Sequence, residues 1–174
     1  MRPRLLVPLL LVTVTALTGP AAAGPRGQNF GTHLSGDAEV PARDTQAQGQ
    51  TKFHLSRDGS TIKYKLIASN IQNVTAAHVH CAADRENNAG VAVALYVDPN
   101  GAGSGRHDGV LATGAFPSSA PCPDGGVTVL QAMRSGLAYV NVHTNDGDGT
   151  PNEGPGDFPG GEIRGQIEAR GPKP

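Results

Sequence analysis

Apolar and polar residues alternate along several short stretches of the chain, which is the pattern of strands with one buried face. Residues 52–55 alternate in this way, and residues 62–66 repeat the pattern after the dipeptide Asp58-Gly59. An Asp-Gly pair between two alternating runs is a strong signal for a hairpin turn. We therefore predict an antiparallel hairpin with one face in water.

The same pattern predicts further strands and one short helix. The other strands are Phe30 to Leu34 continued by Ala38 to Val40 after a break near Gly36, Val74 to His80, Val91 to Val97, Leu137 to His143, and Glu162 to Ala169. The helix is Val127 to Ser135, ended by Gly136. Three longer loops separate the elements, at residues 99–109, 116–126 and 144–161. Seven or eight short antiparallel strands predict an all-β sandwich or flattened barrel with one short helix.

The N-terminus has the features of an export signal. Arg2 and Arg4 precede an apolar run from Leu5 to Leu17, and residues 21–23 supply an A-x-A pattern. We predict a secretory signal peptide at residues 1–23. A membrane anchor is the alternative, but a spanning helix needs about 20 apolar residues and this run is shorter.

Removal of the signal would leave one domain and short tails. We expect flexible tails at residues 24–29 and 170–174 around a single β domain at residues 30–169. The mature chain would carry 12 basic and 15 acidic side chains, a net charge of −3. With no basic stripe along the sequence, nucleic acid is a poor candidate partner. We predict a secreted or periplasmic protein with no membrane span after signal removal.

Two cysteines, Cys81 and Cys122, are the only ones in the chain. In an oxidising compartment the simplest expectation is one disulfide, closing a loop of about 40 residues. A thiolate metal site is the alternative, and we disfavour it because exported thiols tend to oxidise.

Three histidines are the best lead to chemistry. His78 and His80 are two residues apart on a predicted strand, so both imidazoles leave the same face while Val79 points to the core. His143 ends another predicted strand and would join them if the two strand ends are neighbours. Three converging imidazoles suit copper or zinc. The alternative is that they only hydrogen bond backbone carbonyls and loop carboxylates at strand ends. We expect the scattered His33, His54 and His107 to be surface residues.

Charged residues elsewhere have structural and functional interpretations. Glu162 and Arg164 share a strand face. We predict an ion pair or cross-strand network there, which Glu39 could join, rather than an acid or base at Glu162. The Asp- and Asn-rich segment 144–161 could supply oxygen ligands for Ca²⁺, although a solvated turn explains the same composition. We predict no catalytic residue, because no nucleophile elbow, phosphate loop or helical His-Glu-x-x-His occurs in the sequence.

Several segments together resemble the CHRD family, the domain named after chordin. They are Leu34-Ser35-Gly36-Asp37-Ala38-Glu39-Val40-Pro41, Thr75-Ala76-Ala77-His78-Val79-His80, Tyr139-Val140-Asn141-Val142-His143-Thr144, and Pro159-Gly160-Gly161-Glu162-Ile163-Arg164-Gly165-Gln166-Ile167. The resemblance implies an immunoglobulin-like β-barrel with limited similarity to copper/zinc superoxide dismutases. Because the family has no settled biochemical activity, the resemblance implies a fold but no particular function.

These observations combine into one functional prediction and one alternative. We expect an exported, non-catalytic binding or structural module that acts on an extracytoplasmic partner or on a metal ion. The metal would be copper or zinc, held by His78, His80 and His143. The alternative is a copper redox enzyme resembling superoxide dismutase.

Overall fold

A computed structural model of the chain describes residues 28–81, 84–101, 105–124, 126–149 and 154–171. The predicted signal peptide, most of the two predicted tails and residues 150–153 of the Asp- and Asn-rich segment, which we call the acidic loop, lie outside the described residues. The strands are β1 Asn29–Ser35, β2 Gln48–Leu55, β3 Thr61–Gln72, β4 Val74–Cys81, β5 Val91–Val97, β6 Arg106–Pro117, β7 Ala138–Thr144, β8 Ile163–Gln166 and β9 Glu168–Arg170. The α-helix, α1, is Val129–Arg134, and a 3-10 turn spans Gly36–Ala38.

All strand pairs are antiparallel, and the strands form one sheet that curls into a nearly closed barrel. The order is β5-β4-β7-β8-β1-β2-β3-β6, with β9 also pairing β1. The end strands β5 and β6 approach each other. Tyr64 on β3 reaches across to β5, where its hydroxyl donates a hydrogen bond of 2.7 Å to the Leu95 carbonyl. The predicted all-β fold is confirmed.

The inward-facing residues of the alternating strands form one core. In the predicted hairpin, Phe53 lies opposite Tyr64 and Leu55 lies opposite Ile62. The turn that joins the two strands has Gly59 in the left-handed region, with φ 74. Phe53, Leu55 and Ile62 are all buried. The hairpin therefore forms because its turn and its apolar alternation favour the same register.

The short helix covers part of the core and is linked to β4 by the disulfide. The Thr128 side chain accepts a hydrogen bond from the Gln131 backbone N–H, and the Gln131 side chain accepts one from the Thr128 N–H. This capping box starts α1, which packs against β4, β7 and β9. Cys81 at the end of β4 is bonded to Cys122 ahead of α1. The predicted disulfide is confirmed.

Several predicted bounds differ from those in the structure. The segment Ala38 to Val40 is not a strand, because the backbone turns at Gly36, whose carbonyl accepts hydrogen bonds from the N–H groups of Glu39 and Arg43. Asn29 and Arg170, expected in the tails, face each other in the β1–β9 pair. The predicted strand Glu162 to Ala169 is two strands, β8 and β9.

Strand β6 is the largest difference from the expected elements. It spans the end of the predicted loop 99–109, the start of the predicted loop 116–126 and the segment between them. Its hydrophobic pattern is weak, since Phe116 is the one fully buried residue along the strand. Two irregularities in its pairing with β3 also disturb the alternation. None of the described helices is long and apolar enough to cross a membrane.

Candidate metal centre

Pairing of β4 with β7 brings the three histidines together on the outer face of the barrel. His78 lies opposite Asn141, His80 lies opposite Tyr139, and His143 lies opposite Ala76. The residues between them on the two strands, including Val79, Val140 and Val142, are fully buried in the core. One ring nitrogen from each of the three histidines lies within 4.8 Å of the other two.

Backbone carbonyls orient two of the rings. His80 Nδ1 lies 2.8 Å from the Ala89 carbonyl oxygen, and His143 Nδ1 lies 2.9 Å from that of Pro159. A carbonyl can only accept, so Nδ1 carries the proton in both neutral rings and the lone pair is on Nε2. Histidines that bind metals are commonly held by such a hydrogen bond from the nitrogen that does not coordinate.

The inner nitrogens have spacings that suit a small ion. His78 Nδ1 lies 3.1 Å from His143 Nε2. Two nitrogens bound tetrahedrally at 2.0–2.1 Å would be separated by about 3.3 Å, so this pair is nearly at the required distance. His80 Nε2 is buried and has no hydrogen-bond partner among the described residues. Its lone pair is therefore available to an ion shared with His78 and His143, each of which has a ring nitrogen within 4.8 Å of one on His80.

An aromatic stack fixes the plane of the His80 ring. The His80 and Tyr139 rings are parallel within 2°, with centroids 4.7 Å apart. The Arg164 guanidinium carbon lies 3.6 Å from the centroid of the Tyr139 ring. The Tyr139 hydroxyl accepts a hydrogen bond from the Ala89 N–H. No motif in the sequence marks Tyr139 as a site residue. The alternation of side chains along a strand nevertheless places it on the same face as His143.

Burial keeps the cluster in its neutral form. Loss of solvation, together with like-charge repulsion from His143 and His80, lowers the pKa of His78 to about 4. Burial also lowers the pKa of His80 and that of His143, partly opposed by the hydrogen bonds to Ala89 and Pro159. Neutral imidazole is the form that binds a metal ion, so protons compete weakly for this site at pH 7.

Glu162 is held by hydrogen bonds rather than exposed as an acid or base. Its carboxylate accepts from the hydroxyls of Thr45 and Thr144, at 2.6 and 2.7 Å. It also accepts from the Gly156 N–H at 2.9 Å. The side chain thereby joins β7 to the segment after β1 and to the long loop before β8.

Arg164 and Glu39 have different partners from Glu162. Arg164 donates to the carbonyls of Asp84 and Asn87 and to the side chain of Asn88. Glu39 accepts from the Asn141 amide at 2.9 and 3.1 Å. Burial raises the pKa of Glu39 to about 7, although Arg164 and Arg43 lower it. Within the described residues, Glu162 and Arg164 form no direct ion pair. Arg164 instead secures the segment 84–88, and Glu162 secures the loop before β8.

The remaining candidates lie away from the cluster. His33 and His54 are exposed, whereas His107 is half-buried on β6. In the acidic loop, Asn145 accepts from the Gly147 N–H and Asp146 accepts from the Asp148 N–H. These are local turn contacts of the kind that Asn and Asp form in solvated loops.

Comparison with known proteins identifies a family. No curated protein and no solved structure matches the chain. The model of the CHRD domain matches residues 30–151, which is more than half of the 174-residue chain. The matched region contains all three clustered histidines, whereas the Pro159–Ile167 segment lies beyond it. The chain therefore belongs to the CHRD domain family.

Proposed function

We propose that this protein is an exported, non-catalytic CHRD module that binds one copper or zinc ion through His78, His80 and His143. The observation that carries the proposal is the placement of three ring nitrogens within 4.8 Å of one another. Two of the rings also have their outer nitrogens anchored on backbone carbonyls.

A purely structural role leaves one atom unexplained. Hydrogen bonds to Ala89 and Pro159 would suffice to secure the strand ends, and they use one nitrogen each of His80 and His143. His80 Nε2 is nevertheless buried without a partner in the described part of the chain. A buried acceptor without a partner costs about 1–3 kcal/mol, and a metal ion beside it would remove that cost.

The donor set favours late first-row metals over Mg²⁺ or Ca²⁺. Neutral imidazole suits copper and zinc, whereas the hard cations prefer oxygen ligands. Three protein ligands leave one tetrahedral position for water or for a group from a partner. His78 and His143 are only half-buried, which leaves the cluster accessible from solvent.

Export is supported by the N-terminal sequence and by the disulfide. Disulfides persist in oxidising compartments, and Cys81 immediately follows His80. Mass spectrometry of the protein from the extracytoplasmic fraction tests this part of the proposal. We expect a mature chain that begins at Gly24; an intact chain retained inside the cell would contradict it.

Equilibrium titration of the mature protein with Zn²⁺, Cu²⁺ and Cu⁺ tests the metal site. We expect one equivalent to bind, and His78→Ala and His143→Ala each to weaken binding by about 100-fold. His33→Ala is the matched control, because it removes an exposed imidazole elsewhere on the sheet. Weak binding, or binding that is indifferent to the cluster substitutions, would refute the proposal.

The dismutase-like alternative makes a separate prediction. An open position on a copper ion held by three imidazoles would permit redox chemistry. Copper-loaded protein would then consume superoxide, and His80→Ala would abolish that activity. Tight copper binding without superoxide consumption would support the non-catalytic module.

A further inference from the structure

Positive charge is concentrated on one outer face of the barrel, formed by β2, β3 and β9. Three of the four lysines in the chain lie there: Lys52, Lys63 and Lys65. They are spread over two strands in the sequence, and the hairpin register brings them together, with Lys52 directly opposite Lys65. Like charges facing each other across a strand pair destabilise a sheet, so this arrangement has a folding cost.

Arg170 extends the same surface, which we call the basic face: Lys52, Lys63, Lys65 and Arg170. The Arg170 side chain lies over Gly31, and Gly31 is the β1 neighbour of Lys52. All four cationic side chains are exposed. Among the described residues, no carboxylate lies within ion-pair distance of any of them. Their charges are therefore available to an anionic partner.

A shallow groove of about 350 Å³ runs between these side chains. The four residues of the basic face line it, together with Asn29 and His54. Adjacent strands are about 4.8 Å apart, and alternate residues on one strand are about 6.5 Å apart. The cationic groups thus form a two-dimensional array along which a chain with regularly repeated negative groups can lie.

We propose that the basic face binds an anionic polysaccharide. Single-stranded nucleic acid fits poorly, because such sites stack bases on exposed aromatic rings. The aromatic residues at this groove are otherwise engaged: Phe30 and Phe53 are buried, and the Tyr64 hydroxyl is bonded to Leu95.

A lipid surface also fits poorly, because no exposed large apolar side chain lines the groove to enter the bilayer. Among the residues that the structure describes, the exposed large apolar ones are Val91, Val97, Val110, Val127 and Leu137. None of these five lines the groove, whose apolar surface comes from the buried Phe30 and Phe53, from Tyr64 and from the stems of the lysines. The basic face does not include the strands that carry the histidine cluster, so this binding does not depend on a metal ion.

Binding of the mature protein to dextran sulfate, with neutral dextran as the matched polymer, tests the proposal. We expect saturable binding to the sulfated polymer alone, weakening steeply as salt rises because bound counterions are released. The double substitution Lys52→Gln/Lys65→Gln should weaken binding by at least tenfold. The control Arg106→Gln/Arg134→Gln removes the same charge from exposed sites elsewhere and should change binding by less than threefold.

Three results would overturn the proposal: no binding to dextran sulfate at low salt, an equal loss in both double variants, or tighter binding to anionic vesicles than to the polymer. Loss of folding does not confuse the test, because removal of the facing lysines relieves repulsion. We expect the thermal midpoint of Lys52→Gln/Lys65→Gln to equal or exceed that of the unsubstituted protein. A chelator added to the binding assay should change nothing.

Discussion

At the scale of single residues, individual hydrogen bonds determine which ring nitrogen of a histidine carries the proton. The carbonyls of Ala89 and Pro159 select the protonated nitrogen of His80 and His143, leaving the other nitrogen of each ring facing the cluster. Glu39 is hydrogen bonded to Asn141 on β7, and Asn141 lies opposite His78 in the β4–β7 pair. The pKa of Glu39 is raised to about 7, chiefly by burial, so its proton is bound more tightly in the folded protein than in the unfolded chain.

Glu39 should make the folded protein less stable as pH rises. Because the folded pKa lies above the ordinary value of 4.5, the stabilising contribution is complete below pH 4.5 and is lost as pH rises through 7. We expect the free energy of unfolding of the unsubstituted protein to fall by roughly 2–3 kcal/mol relative to that of Glu39→Gln between pH 4.5 and 8. Urea unfolding at a series of pH values measures this difference.

Comparison of the two proteins isolates Glu39 from the histidines. The lowered pKa values of the clustered histidines act in the opposite direction, adding stability as pH rises toward 6.5. That effect is common to both proteins and cancels in the difference. Glu86→Gln, which removes an exposed carboxylate elsewhere in the chain, is the matched control. A difference between the unsubstituted protein and Glu39→Gln that is independent of pH would contradict the assignment.

At the scale of elements, strand register builds the site. The β4–β7 register places His78, His80 and His143 on one face, and β8 adds Arg164 beside Asn141. Strand β8 can lie close to β1 because Gly165 has no side chain. A methyl group there would collide with the His33 carbonyl and with Thr32 Oγ1, both on β1.

Gly165→Ala should therefore separate β8 from β1 and unfold the protein more easily. We expect the free energy of unfolding to fall by about 3 kcal/mol or more, since the clash is with backbone that cannot move aside. Gly171→Ala is the matched control, because no atom lies within 4 Å of the added carbon. Equal stability of the two variants in urea unfolding would show that the strands are not packed as described.

Local sequence signals predict local parts of this structure. The hairpin of β2 and β3 follows from alternation and an Asp-Gly turn, and the shared face of His78 and His80 follows from their spacing. The meeting of His143 with that pair depends on which strands are neighbours, and no local pattern specifies this. Strand β6 has too few buried residues to produce a periodic signal. Gly36 turns the chain through backbone hydrogen bonds that hydrophobicity does not reveal.

At the scale of the whole molecule, the disulfide closes a long loop and joins the end of β4 to the segment ahead of α1. Cys81 and Cys122 are 41 residues apart and both are buried. Cross-linking a loop of this size reduces the entropy of the unfolded chain by an amount worth about 4 kcal/mol at 25 °C. The bond thus supplies a substantial part of the stability expected of a domain of this size.

Removal of the disulfide should destabilise the protein without changing its fold. We expect Cys81→Ala/Cys122→Ala to lower the free energy of unfolding by about 4 kcal/mol, measured by urea unfolding. A reducing agent should destabilise the unsubstituted protein to a similar extent and leave the double variant unaffected. Equal stability of the oxidised protein and the double variant would contradict this role.

X-ray absorption spectroscopy of the zinc-loaded mature protein tests the proposed metal centre most directly. We expect three imidazole nitrogens at about 2.0–2.1 Å from the ion and one further light ligand. His78→Ala should reduce the imidazole count by one, and His33→Ala should leave the spectrum unchanged. A shell of oxygen ligands, or a spectrum that His78→Ala does not alter, would contradict the three-histidine site.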